Sequence, residues 1–185
     1  MTMARVPTYS VLIPNLMLFQ GVWWSCILDV EALAIGLIII MTLHFLWSHQ
    51  ITGDTGQNTD WLILPVIFTG LLTDWLIYQT GMYVFPDNRF PLWLVFLWCA
   101  FAMTVPRSLA TLVVRKPAWL VLCAVFGPLA YFAGQHYGRL GITQYAILAM
   151  VTQWAFIGLF IHFMMSEKIA ATLDVSQNPY EVENK

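Results

Sequence analysis

The sequence predicts an all-α integral membrane protein, a bundle of about six transmembrane helices, and three observations carry that reading. Hydrophobic residues make up 59% of the 185 positions and charged residues only 10%, outside the range of soluble domains of this size. Mean hydropathy is +0.72. Several apolar runs approach the roughly 20 residues needed to cross a hydrocarbon core of about 30 Å.

The first span covers about residues 10–28. It follows Met-Thr-Met-Ala-Arg without a small-x-small cleavage site, and Trp23-Trp24-Ser25-Cys26 lacks the small aliphatic approach of a lipoprotein site, so it reads as a retained helix. Asp29-Val30-Glu31 is the only polar break before the second span, 31–47, which predicts a tight antiparallel hairpin, with one long bent helix as the alternative. Residues 48–60 form a long polar loop, and the third span follows at 61–79. The fourth, 92–114, contains Pro106, which frees the carbonyl of Ala102 and should bend the helix. The fifth and sixth fall at 118–135 and 143–165, the second and fifth being the short ones. Residues 1–173 thus read as one transmembrane domain, and 174–185 as a polar tail expected to be disordered.

With the N-terminus inside, Arg5, Arg115, Lys116, Lys168 and Lys185 lie inside and Arg89 and Arg139 outside, so both termini are expected to be cytoplasmic. The nine tryptophans fall mostly near span ends, as interfacial anchors would. A net charge of −2 with no basic block sets nucleic-acid binding aside. Cys26, Cys99 and Cys123 each sit in an apolar run without Cys-x-x-Cys spacing, and read as small hydrophobes.

Asp74 is a carboxylate in the apolar run that begins at Trp61. Gly70, Asp74 and Tyr78 stack on one helical face, and the cost of a charge in hydrocarbon turns that face inward, where Gly70 admits a close neighbour. The fifth helix carries a comparable stripe of Gly127, Tyr131, Gly134 and Gly138, with Gln135 and His136 at its end. Residues 69–74 and 126–131 share a Gly four positions before a polar residue, too little for an internal repeat. On the fourth helix Arg107 is the second intramembrane charge. A rise of about 1.5 Å per residue puts Asp74 roughly 6 Å to one side of the midplane and Arg107 about as far to the other, which weakens a direct pair and leaves snorkelling as the plainer reading of Arg107.

Asp74, Tyr78, Asp87, Arg89, Tyr131, Gln135, His136 and Arg139 therefore gather toward one half of the bundle. A ligand-binding polar pocket built on Asp74, Tyr78, Tyr131, Gln135 and His136 is the sharper expectation, and a structural hydrogen-bond network the plainer one. Asn15, Gln20 and Gln153 read as interhelical hydrogen-bond partners. His44, His49 and His162 share a side, but the five-residue separation of the first two turns them away from a common face, so no metal site is expected. No phosphate loop, metalloprotease helix or nucleophile elbow is present, and no cofactor is expected.

Three runs carry a family resemblance: 91–102, Arg107-Ser108-Leu109, and 127–134, together with Asp74, Gly81 and Phe85-Pro86. They resemble domain-of-unknown-function family 2878 from about Asn15 to the last helix, most specifically between 70 and 138. This chain has Arg107 where that pattern usually has His before the Ser of the fourth helix. The resemblance implies a small bacterial inner-membrane protein without an assigned activity, associated with fatty-acid-modifying methyltransferases of the cyclopropane-synthase type. It therefore favours an accessory role in membrane-lipid modification or membrane stress response, with membrane lipids and lipid-modifying enzymes as partners. A small transporter or ligand-binding module with Asp74 in its pocket is the second class, and a lipid-modifying enzyme using Asp74 or His136 as acid or base the third.

Overall fold

The computed structural model describes residues 9–52 and 59–177. Six helices are found among them: α1 (Tyr9–Ile27), α2 (Glu31–Thr52), α3 (Ile63–Gln79), α4 (Leu92–Val113), α5 (Lys116–His136) and α6 (Ala146–Gln177). All but α3 are long and apolar enough to cross a membrane, and α3 is an apolar helix of 17 residues. The expected short spans are in fact full length. Helix α2 continues through residues that read as loop, with Ser48 Oγ donating back to the carbonyl of Phe45 and accepting from Arg107. The last helix likewise runs through 174–177, and 178–185, with Arg5 and Lys185 of the charge count, lie outside the described residues.

The break after α1 is a turn, not a bend. The amide of Val30 donates to the carbonyl of Ser25, and Asp29 takes the left-handed conformation (φ 62°) that short polar side chains tolerate. The α1–α2 hairpin packs on α4, α4 on α3, α3 on α6, and α6 on α5. Helix α4 is central: 61% of its spanning window is buried, against 22–33% in the other long helices. Pro106 cannot donate to Ala102, and the chain accommodates this by widening one turn of α4 into a π-helical turn, Val105–Leu109.

The sequence reading contains no strand, yet two residues on each side form a short antiparallel ribbon. Strand β1 (Tyr83–Val84) follows α3 and β2 (Gly141–Ile142) follows α5, with Tyr83 opposite Ile142 and Val84 opposite Gly141. Gly81 and Gly138, both at positive φ, turn the chain out of α3 and α5 into this ribbon. An ion pair of 2.7 Å between Arg139 and Asp29 ties it to the α1–α2 turn. Residues 28–30, 80–91 and 137–145 thus close one end of the bundle, called here the ribbon end.

Seven of the nine tryptophans divide into two kinds. Trp24, Trp47, Trp61 and Trp75 are exposed near helix ends, as interfacial anchors are. Trp98 and Trp119 are buried in the core and Trp154 is half-buried, and Trp98 and Trp154 fill space that a glycine leaves. The Trp98 indole lies where a Cβ on Gly70 would be, and the Trp154 indole where a Cβ on Gly127 would be. The two indoles stack on each other, centroids 5.2 Å apart and planes inclined by 19°. Trp119 donates its N–H to the carbonyl of Gly158 at 2.8 Å. Gly70→Ala and Gly127→Ala are each expected to lower stability by about 1–3 kcal/mol through overpacking. Gly36→Ala, where a Cβ meets nothing within 4 Å, should stay within about 0.5 kcal/mol of wild type. Thermal unfolding of the three variants in one detergent checks the contrast.

Candidate functional site

The carboxylate of Asp74 is fully buried where α3, α4, α5 and α6 meet. Trp98 donates its indole N–H to Oδ2 at 2.6 Å. Tyr131 donates its hydroxyl across both oxygens at 2.7 and 2.8 Å, and Gln153 donates its amide to Oδ1 at 2.7 Å. The same Gln153 amide reaches the hydroxyl of Thr73 at 2.9 Å. One acceptor thus binds a donor from each of the three neighbouring helices. Among the described residues, no ion pair involves Asp74. The carboxyl group is held by neutral donors, which suits a group that must stay fixed in a low-dielectric interior. Tyr83 of β1 stacks on Tyr131, centroids 5.3 Å apart. Burial first, and the Asp74 carboxylate second, push the Tyr83 phenol well above its ordinary range, so it remains neutral.

Of the residues expected to share a pocket, the fold brings only Tyr131 to Asp74. Tyr78 points along the ribbon end, where its hydroxyl donates to the carbonyl of Asn88 and its ring packs on Phe85 and Phe90. Gln135 and His136 are exposed at the end of α5, the His136 ring lying edge-on to Tyr137. The helical stripe is real only over its first turn: Gly70 and Asp74 are buried, while the exit from α3 at Thr80 and Gly81 is exposed.

Arg107 neither pairs with Asp74 nor snorkels. Its side chain is buried in the widened turn of α4 and forms a bidentate pair with Asp60, at 2.7 and 2.9 Å. Its Nε donates to Ser48 at 2.7 Å, and the guanidinium lies 4.1 Å from the centroid of Phe45. His49 contacts the same Asp60 carboxylate at 2.5 Å. The adjacent Ser108 donates to the carbonyl of Leu12 and to Asn15, whose amide approaches the carbonyl of Met103. This cluster fastens α1, α2 and the segment before α3 onto α4. His44 lies apart with its ring on Trp47, and His162 donates to the carbonyl of Val113. Among the described residues no group of His, Cys, Asp and Glu could hold a metal.

The space with the shape of a binding site is an apolar cavity of about 430 Å³, within the range of small-molecule sites. It lies between α1, α4 and α5, because α5 is held by α6 and does not pack along α4. Aromatic side chains dominate its wall: Phe19, Trp23, Trp93, Trp98, Phe101, Phe126, Tyr131 and Trp154. Gln20, read as an interhelical partner, is exposed and lines the cavity instead. Leu16 on α1 and Phe126 and Leu129 on α5, all exposed, also line it, so its mouth faces the apolar surroundings of the bundle. Trp98 and Tyr131, two of the three donors to Asp74, form part of the inner wall. Asp74 therefore positions that wall and does not itself line it.

Sequence reasoning missed Trp98 as a donor and Asp60 as the partner of Arg107. A signal for the first was present. In both Gly70/Asp74 and Gly127/Tyr131, a glycine one turn before a polar residue opens a socket for an indole, and the Trp98 indole in the first donates to Asp74. The second left no periodic signal, because Asp60 precedes α3 in a polar segment.

Fold and site together define a multi-pass helical membrane protein with a carboxylate-centred hydrogen-bond node beside a lateral apolar cavity. The chain belongs to the family described as protein of unknown function (DUF2878), whose model matches residues 12–159. No curated protein and no solved structure matches it.

Proposed function

We propose that this protein is a membrane lipid-binding module that takes an acyl chain into the cavity between α1, α4 and α5. It does so as an accessory to membrane-lipid modification in a bacterial inner membrane, with both chain ends cytoplasmic. The observation that carries the reading is the cavity itself: apolar, lined by aromatic rings, and opening where lipid tails would surround the helices. An acyl chain is the ligand such a wall accepts at least cost, since nearly every surface it offers is apolar. The accessory role rests on the family resemblance, and the orientation on the excess of Lys and Arg at the end opposite the ribbon.

The site gives less support to the transport and catalytic alternatives. Asp74 is enclosed by three donors and has no contact with the cavity mouth, and His136 sits apart from it on the surface. Native mass spectrometry of the protein released from bilayer-like micelles tests the proposal. Wild type should retain a lipid through delipidation. Ala130→Trp, which adds an indole to the cavity wall, should lose roughly nine-tenths of it. Equal retention by the two proteins would contradict the assignment.

A further inference from the structure

A second pocket, of about 350 Å³, lies at the ribbon end and shares Trp93 with the apolar cavity. Its lining is charged where the cavity's is apolar: Asp29, Glu31 and Asp87 face it together with Arg89 and Arg139. Arg139 is the fixed member. Its Nη1 is paired with Asp29 at 2.7 Å, and its guanidinium lies 5.7 Å from the centroid of the Trp93 ring. Its Nε is buried and has no hydrogen-bond partner among the described residues. A buried guanidinium N–H without an acceptor is a costly arrangement that an anionic oxygen would relieve.

Resting on the acyl-chain reading above, we infer that this pocket is the headgroup site for the same ligand, and that the ligand is a zwitterionic aminophospholipid. Arg139 and Arg89 supply donors for a phosphate. Asp29, Glu31 and Asp87 supply carboxylates for a primary ammonium, and three acids against two bases leave the pocket at −1 before binding. An anionic headgroup would meet this excess of carboxylates, whereas a headgroup with one charge of each sign complements both sets. Trp93 borders both spaces, placing the charged pocket beside the tail site, near the helix ends where headgroups lie.

Competition for one site by lipids that share the same chains tests this. Purified protein carrying a fluorescent acyl-chain probe is titrated with phosphatidylethanolamine, phosphatidylglycerol, diacylglycerol and soluble glycerophosphoethanolamine. Phosphatidylethanolamine should compete about tenfold better than phosphatidylglycerol or diacylglycerol, as one added charge-assisted contact implies. Glycerophosphoethanolamine, which has no chains, should compete negligibly. Arg139→Gln and, as a surface variant that keeps the Asp29 pair, Arg89→Gln should each reduce the preference while diacylglycerol binding persists. Equal competition by the three lipids would overturn the headgroup inference and leave the acyl-chain reading standing. Displacement by glycerophosphoethanolamine alone would assign the pocket to a water-soluble ligand and overturn it too. Failure to bind the probe at all, in wild type and Ala130→Trp alike, would remove the acyl-chain reading on which it rests.

Discussion

Replacing Asp74 by Ala is expected to destabilise the bundle by roughly 2–5 kcal/mol, from three interhelical hydrogen bonds lost and three donors stranded. The effect is large because the bonds converge. Trp98, Tyr131 and Gln153 come from three helices and share one acceptor, so a single truncation strands an indole N–H, a phenol and an amide together. Asp74→Asn keeps one oxygen but turns an NH2 toward existing donors, and should cost about half as much. Reversible unfolding in mixed micelles measures both. In the same variants lipid retention should fall with stability, because Trp98 and Tyr131 form the inner wall of the cavity. A transport or catalytic carboxylate would behave otherwise: Asp74→Asn would leave the fold intact and abolish function.

Arg107→Met should cost roughly 2–4 kcal/mol, somewhat below the about 3–5 kcal/mol of a fully buried ion pair because the Asp60 side chain remains 15% exposed. The loss comes mainly from Asp60, which keeps the His49 contact but loses the bidentate guanidinium, and from Ser48, which loses the Nε–H. A compensating change gives the sharper test. Asp60→Leu in the Arg107→Met background removes the stranded carboxylate and should restore more than half of the lost stability. Arg107→Lys keeps the charge but cannot span both oxygens of Asp60, and should fall between wild type and Arg107→Met.

How far the sequence disclosed these features depends on the physical signal each one leaves. Long apolar runs mark spanning helices directly, and five of the helices meet that criterion at nearly the expected places. Helix ends were less legible. Helix α2 continues through Ser48, whose hydroxyl accepts from Arg107, a tertiary contact that residues looking like loop do not announce. The ribbon of two residue pairs is too short to carry an alternating pattern. Burial of Asp74 followed from the cost of a charge in hydrocarbon, and Tyr131 from its inward stripe. Gln135 and His136 were drawn in by nearness in sequence, but α5 ends on the surface before it can aim them inward. Axial bookkeeping weakened a pair between Asp74 and Arg107, since axial offset follows from residue count and a fixed rise per residue, and Arg107 is found on Asp60. It could not supply Asp60, whose position depends on how the segment before α3 folds back over α4.

The two polar clusters have a common mechanical consequence. The Asp60–Arg107 cluster binds the α1–α2 side of the bundle to α4, and the Asp74 node binds α3, α5 and α6 to it. The uncovered seam between those two halves is the apolar cavity. Both halves are pinned by hydrogen bonds where the bundle is closed and are left unpinned along the cavity.

Photo-crosslinking tests occupancy of that seam most directly. Proteoliposomes containing a phospholipid with a diazirine near the end of its acyl chain are irradiated, and the adducts are located by peptide mass spectrometry. The proposed function predicts adducts concentrated on inward-facing cavity residues such as Leu97, Leu122 and Ala130, and their loss in Ala130→Trp. Adducts spread over outward-facing positions such as Ile39, Leu43 and Phe156, with the cavity residues unlabelled, would contradict it.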